Sequence, residues 1–123
     1  MGFNVPLTGM RTRVKICGIT RPEDGRAAAR AGADAIGLVF YAKRPRYVAL
    51  QQAQAICRAL PPFVSVVALF VNARREQVTE VLNAIPVDLL QFHGNEQAEQ
   101  CVSFGRPYIK AIGMREGSDP LST

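Results

Sequence analysis

The chain has 123 residues, 48% of them hydrophobic and 20% charged, with a formal net charge of +5 at pH 7. That length supports one domain with a real core, and no apolar run reaches the 18 or so residues of a membrane-crossing helix. Its basic residues are scattered apart from Lys43-Arg-Pro-Arg46, aromatics make up only 7%, and no nucleic-acid motif is present, which argues against a nucleic-acid partner.

Taken in chain order, apolar runs of strand length alternate with helix-patterned stretches, the signature of βα units on a parallel sheet. The leader up to Gly9 lacks the basic start and long apolar centre of a signal peptide. Residues 1–10 read as an N-terminal tail. A first strand is expected over Arg13–Cys17. A first helix follows, with Thr20 as N-cap, Glu23 closing a capping box and Pro22 in the first turn. It is rich in alanine and stops at Gly32, a residue suited to a left-handed C-cap. The second strand is Ala35–Phe40, and a polar loop, Tyr41–Tyr47, leads to a helix from Leu50 to Leu60 that Pro61-Pro62 ends. Val64–Val71 is almost wholly apolar, as a strand covered on both faces should be. A third helix is expected over Arg75–Ala84, a fourth strand over Val87–Phe92, a fourth helix over Glu96–Phe104 and a fifth strand over Tyr108–Gly113. The stretch Arg115–Thr123 reads as a loop leading onward, so residues 11–114 form the domain.

Cysteine use is sparse. Cys17, Cys57 and Cys101 are odd in number and widely spaced, which fits neither a disulfide framework nor a zinc site and suits the reducing cytosol. Cys17 ends the first strand, and in parallel α/β proteins a strand's carboxyl end points at the catalytic mouth. A thiol there can ionise and move a proton if its surroundings are accessible and electropositive; otherwise it is one more small buried residue. Lys15 lies two residues earlier and shares a face with Cys17. It either favours the thiolate or lines the floor of the sheet. His93, the single histidine, ends the fourth strand and is a candidate ligand contact or an imidazole satisfied by a backbone carbonyl. Gln91 shares its face. Asn72 is placed to orient a loop, Asp24 and Asp34 read as helix-terminus residues, and Cys57 and Cys101 read as packing.

The segments Val14-Lys-Ile-Cys-Gly-Ile-Thr20, Gly32-Ala-Asp-Ala-Ile-Gly-Leu-Val-Phe-Tyr41, Arg46-Tyr47, Leu69-Phe-Val-Asn72 and Leu90-Gln-Phe-His-Gly94 occur in this order. Together they resemble the phosphoribosylanthranilate isomerase family, over about Arg11 to Gly113; as that family usually begins where Met10 stands, the resemblance implies that residues 1–10 are a loose tail or a start assigned too far upstream. The resemblance implies part of a TIM (β/α)8 barrel, with about five parallel strands and four intervening helices. A complete barrel needs about 200 residues or more, so the chain is expected to be an amino-terminal part. The implied reaction is the Amadori rearrangement of N-(5-phosphoribosyl)anthranilate in tryptophan biosynthesis, in the cytoplasm and with no cofactor or metal. Cys17 is then the general base, Arg46 holds the anthranilate carboxylate, and Gln91 and His93 contact substrate. Lys43 and Arg44 are weaker candidates.

By the same resemblance the general acid and the phosphate loops lie beyond Thr123, so the chain alone is expected to be inactive. No glycine-rich phosphate loop replaces them. Its open sheet edges are expected to make it self-associate. A competing reading is a doubly wound, non-enzymatic α/β module that binds a ligand or partner. It would need a reversal of strand order, 2-1-3-4-5, at a switch point. A third is a half-barrel that pairs with itself, which a fifth strand makes awkward.

Overall fold

The computed structural model describes residues 12–111. Its elements are β1 (Lys15–Cys17), α1 (Pro22–Arg30), β2 (Ala35–Val39), α2 (Leu50–Ala59), β3 (Ser65–Phe70), α3 (Arg75–Ala84), β4 (Leu89–Phe92), α4 (Ala98–Val102) and β5 (Tyr108–Lys110). The five strands form one parallel sheet in the order β1-β2-β3-β4-β5. Without a reversal there is no switch point, which removes the doubly wound reading. The arc is part of a TIM barrel, with a helix between each pair of strands. The expected tails at residues 1–10 and 115–123, and the end of the fifth strand at Gly113, lie outside the described residues.

Alternation along each strand separates two faces. Ile36, Leu38, Phe40, Val66, Ala68, Phe70, Leu90 and Phe92 join Val48, Ala53, Ile56, Val78, Val81 and Cys101 in one buried cluster between sheet and helices. Rings cross it from strand to strand: Phe40 stacks on Phe70 at 5.5 Å between centroids, Phe70 on Phe92 at 6.3 Å, and Phe92 on Phe104 at 6.1 Å. Phe70 is fully buried at the centre of this row, and burying such a side chain stabilises by about 1.5–3 kcal/mol. α1 packs on α2 where Gly25 meets Ile56 and Leu60.

The opposite, concave face carries Lys15 and Cys17 of β1, Gly37 and Val39 of β2, Val67 and Leu69 of β3, Gln91 of β4 and Ile109 of β5. An open arc would be expected to leave its inner apolar residues bare, yet Val39, Val67 and Leu69 are buried. Curvature brings the arc's ends toward each other, close enough for Lys15 of β1 to reach Gln91 of β4. Exposure concentrates at the sheet's edges instead. Ile109 of β5 is half exposed, as are Val14 and Ile16 beside a groove along α1.

Three local expectations differ from what forms. The N-cap of α1 is Arg21, in extended conformation and with no side-chain cap, so the Thr20–Glu23 capping box is absent. Arg21 reaches forward to Asp24 at 3.1 Å and Glu23 at 3.7 Å, while the Gln52 amide holds the Thr20 carbonyl. These contacts fix the approach to the helix without a hydroxyl cap. α4 is only one short turn, shorter at both ends than its sequence pattern. Asp34 is no helix-end residue: its carboxylate accepts the Val14 N–H at 2.8 Å, and Asp88 does the same for Val66 at 2.8 Å. The expected stop of α1 is present. Gly32, at φ 100°, donates to Ala29, and Ala33 donates to Ala28, the paired bonds of a Schellman turn.

Asp88→Ala leaves the Val66 N–H without its carboxylate. We expect a loss of about 1–2 kcal/mol by urea unfolding, the usual cost of removing one partner of a hydrogen bond. Glu80→Ala on α3 serves as the control and should change stability by less than about 0.5 kcal/mol.

Candidate active site

The strands' carboxyl ends gather the candidate residues into two groups. In the first, Cys17 is exposed at the end of β1. The chain then turns sharply: the N–H groups of Gly18 and Ile19 both donate to the Gly37 carbonyl, at 3.0 and 3.2 Å. Gly18 has φ 86°, and a Cβ there would stand 2.6 Å from Cδ of Arg46. Only glycine permits both the turn and the approach of the arginine. Gly37 of β2 pairs with Cys17, and a Cβ at 37 would lie 3.0 Å from its Sγ. The thiol occupies the space that the missing side chain leaves.

Arg46 comes from the loop between β2 and α2. That loop is held by Arg44 N–H to the Tyr41 carbonyl, Tyr47 N–H to the Arg44 carbonyl and Val48 N–H to the Val39 carbonyl. Arg44 sits over the Tyr41 ring at 5.9 Å. Cys17, Gly18, Val39, Arg44, Pro45 and Arg46 line one hollow of about 220 Å³. That is below the usual range of about 300–1,000 Å³ for ligand pockets, so it suits one end of a ligand. Among the described residues no carboxylate lies within ion-pair distance of Arg46. Its guanidinium is free to take an external anion, which the stacked Arg44 does less readily.

The second group lies across the concave face. The Lys15 ammonium donates to Oε1 of Gln91 at 2.5 Å, and Nε2 of Gln91 meets Nε2 of His93 at 2.6 Å. Lys15 thus lines the concave face, tied to a neutral amide. His93 engages the side-chain amide of Gln91.

Sequence reasoning missed Glu96, taking it only as the start of a helix. Its side chain is 5% exposed, and its carboxylate accepts the Asn72 N–H at 2.7 Å and the Gly94 N–H at 2.8 Å. Lys110 lies 3.4 Å away and also donates to the Gly94 carbonyl. Asn72 orients this loop as expected, accepting the Asn95 N–H at 2.7 Å. The nearby Lys110 was the one available signal, and it sits 14 residues on, too far for a local pattern to reveal.

Other titratable residues stand apart. Asp24 is on the surface of α1, where its hydrogen bond from Arg21 holds the carboxyl below its ordinary range. Asp34 and Asp88 precede β2 and β4, at the amino ends of the strands. Cys101 is buried and burial raises its pKa; burial also pushes Cys57 up to about 11. Both cysteines pack as expected. Among the described residues no three His, Cys, Asp or Glu side chains are grouped to hold a metal.

A family model described as N-(5'phosphoribosyl)anthranilate (PRA) isomerase matches residues 14–122. The chain belongs to that family. It is 63% identical over 110 residues to the N-(5'-phosphoribosyl)anthranilate isomerase of Pseudomonas paraeruginosa, covering 89% of this chain and 52% of the relative. The Alcanivorax borkumensis isomerase is 64% identical over 107 residues, covering 87% and 49%. Among solved structures, the phosphoribosyl anthranilate isomerase of Thermotoga maritima superposes with a TM-score of 0.79 at 42% identity, covering 85% of this chain and 52% of that one. Another isomerase structure, in complex with reduced 1-(o-carboxyphenylamino)-1-deoxyribulose 5-phosphate, gives 0.80 at 41% identity, covering 85% and 55%. The chain spans about half the length of these relatives.

Thiol reactivity separates the three cysteines. A raised pKa leaves less thiolate at a given pH, and burial blocks the reagent. With iodoacetamide at mildly alkaline pH, peptide mass spectrometry should find Cys17 alkylated first, the half-buried Cys57 more slowly, and the buried Cys101 only on unfolding.

Proposed function

We propose that this segment supplies the base and the carboxylate-binding side of an N-(5-phosphoribosyl)anthranilate isomerase in cytoplasmic tryptophan biosynthesis. The observation that carries the reading is the shared hollow of Cys17 and Arg46 in a chain of that family. The Amadori rearrangement opens a furanose ring to a Schiff base, which then loses a proton from the neighbouring sugar carbon. Cys17, exposed at the strand end, takes that proton. Arg46 binds the anthranilate carboxylate through its planar fork. Gln91 and His93 form the far wall of the substrate site. Protonation of the ring oxygen and anchoring of the phosphate fall to further barrel units of the kind that complete the relatives. Residues 11–114 act as one barrel segment, and alone it is expected to be inactive.

The test is a chimaera in which residues 14–122 replace the matching part of the Pseudomonas paraeruginosa isomerase. We expect turnover of phosphoribosylanthranilate. Cys17→Ser in the chimaera should lower it by about 10²–10⁴, the usual contribution of a general base. Arg46→Ala should cost about 1.5–3 kcal/mol in kcat/KM, as for a lost charge-assisted hydrogen bond. A Cys17→Ser effect below about tenfold, or an Arg44→Ala variant carrying the whole carboxylate effect, would overturn these assignments.

Among the described residues β1 and β5 form the sheet's edges, with Val14, Ile16 and Ile109 exposed there, and open apolar edges recruit other chains. Sedimentation of the 123-residue chain should give a mass that rises with concentration. A monomer mass at every concentration would count against self-association.

A further inference from the structure

Lys15, Gln91 and His93 form a line of hydrogen bonds whose donors can be assigned without seeing a proton. A lysine ammonium has only donors, so the Gln91 atom that meets it at 2.5 Å must be the amide oxygen. The amide nitrogen is then the atom turned toward His93, 2.6 Å from Nε2. An amide NH₂ also has only donors, so Nε2 of His93 must accept. An imidazolium carries N–H on both ring nitrogens and would set donor against donor.

We infer that Gln91 is a positioning residue, which holds His93 as the neutral tautomer with its proton on Nδ1. Lys15 acts through it: the ammonium fixes the amide, and the amide fixes the ring. Within the proposed reading of the site, on which this consequence rests, Nε2 of His93 cannot donate a proton to substrate while the line is intact. It leaves Cys17 as the proton-transferring group of this segment. Gln91 then serves the site through Lys15 and His93, in addition to walling it.

His93 is the only histidine in the chain, so a sample labelled with ¹⁵N-histidine yields one imidazole pair. Magic-angle-spinning NMR reads that pair whatever the chain's oligomeric state, and it requires no catalytic activity. Failure of the inference is therefore separate from failure of the proposed function. At a pH where the ring is neutral, the expected spectrum has a pyrrole-like Nδ1 and a pyridine-like Nε2. Gln91→Glu replaces the amide nitrogen by an oxygen, and should transfer the ring proton to Nε2, exchanging the two shifts. A wild-type spectrum with the proton on Nε2, or rapid averaging of the two tautomers, would overturn the inference even if the variant did not fold. An unchanged tautomer in folded Gln91→Glu would overturn it as well.

Discussion

Parallel pairing in register, with side chains alternating between faces, decides where every candidate group stands. Cys17 pairs with Gly37, Gly37 with Val67 and Val67 with Leu89, while Val39, Leu69, Gln91 and Ile109 form the next row toward the mouth. A slip of one residue would turn Cys17 into the helix-facing core and bring Ile16 to the site. The register is held because the helix-facing residues of β2, β3 and β4 are apolar and buried. The ring row through Phe40, Phe70, Phe92 and Phe104 is therefore more than packing. It lies near the carboxyl ends of the strands, where the loops that carry Arg46 and Glu96 begin.

Those loops are built differently. Around β3 and β4, a nearly buried carboxylate gathers two backbone N–H groups and a lysine. Charge-assisted bonds of this kind are about twice as strong as neutral ones. The loop that carries Arg46 rests instead on backbone turns, a stacked arginine and the clearance above Gly18. A buried ionic tether holds the side of the mouth near His93, and local turn bonds hold the side that carries the arginine.

Much of the scaffold was readable from the residues because period and punctuation agree: apolar runs separated by capped or proline-ended helices. Gly32 ends α1 as its type requires, and Cys17 and Arg46 come together because strand ends and following loops share one rim. The failures have a common physical source. Thr20 and Glu23 have the right spacing for a capping box, but spacing does not show that Arg21 would pair with Asp24, or that Gln52, 32 residues away, would claim the Thr20 carbonyl. Asp34 binds the N–H of Val14 just ahead of β1, Asp88 binds that of Val66 in β3, and Lys15 finds Gln91 across two intervening strands. Such partners exist only once the sheet has assembled.

The two aspartates point to a symmetry within the arc. Asp34 exchanges two bonds with Val14, its N–H to the carbonyl and its carboxylate to the N–H; Asp88 exchanges the same two with Val66. Shifting the arc by two strands therefore lays β1 and β2 over β3 and β4. Under that superposition the pair Cys17–Gly37 falls on the pair Leu69–Gln91. The backbone offers the same seat twice, but at the second seat the neighbour has a long side chain where the first has none. One duplicated frame thus holds two unlike occupants: a thiol beside an empty position, and an amide that fills its own. The division of labour between the two halves resides in the side chains, since the backbone treats the two positions alike.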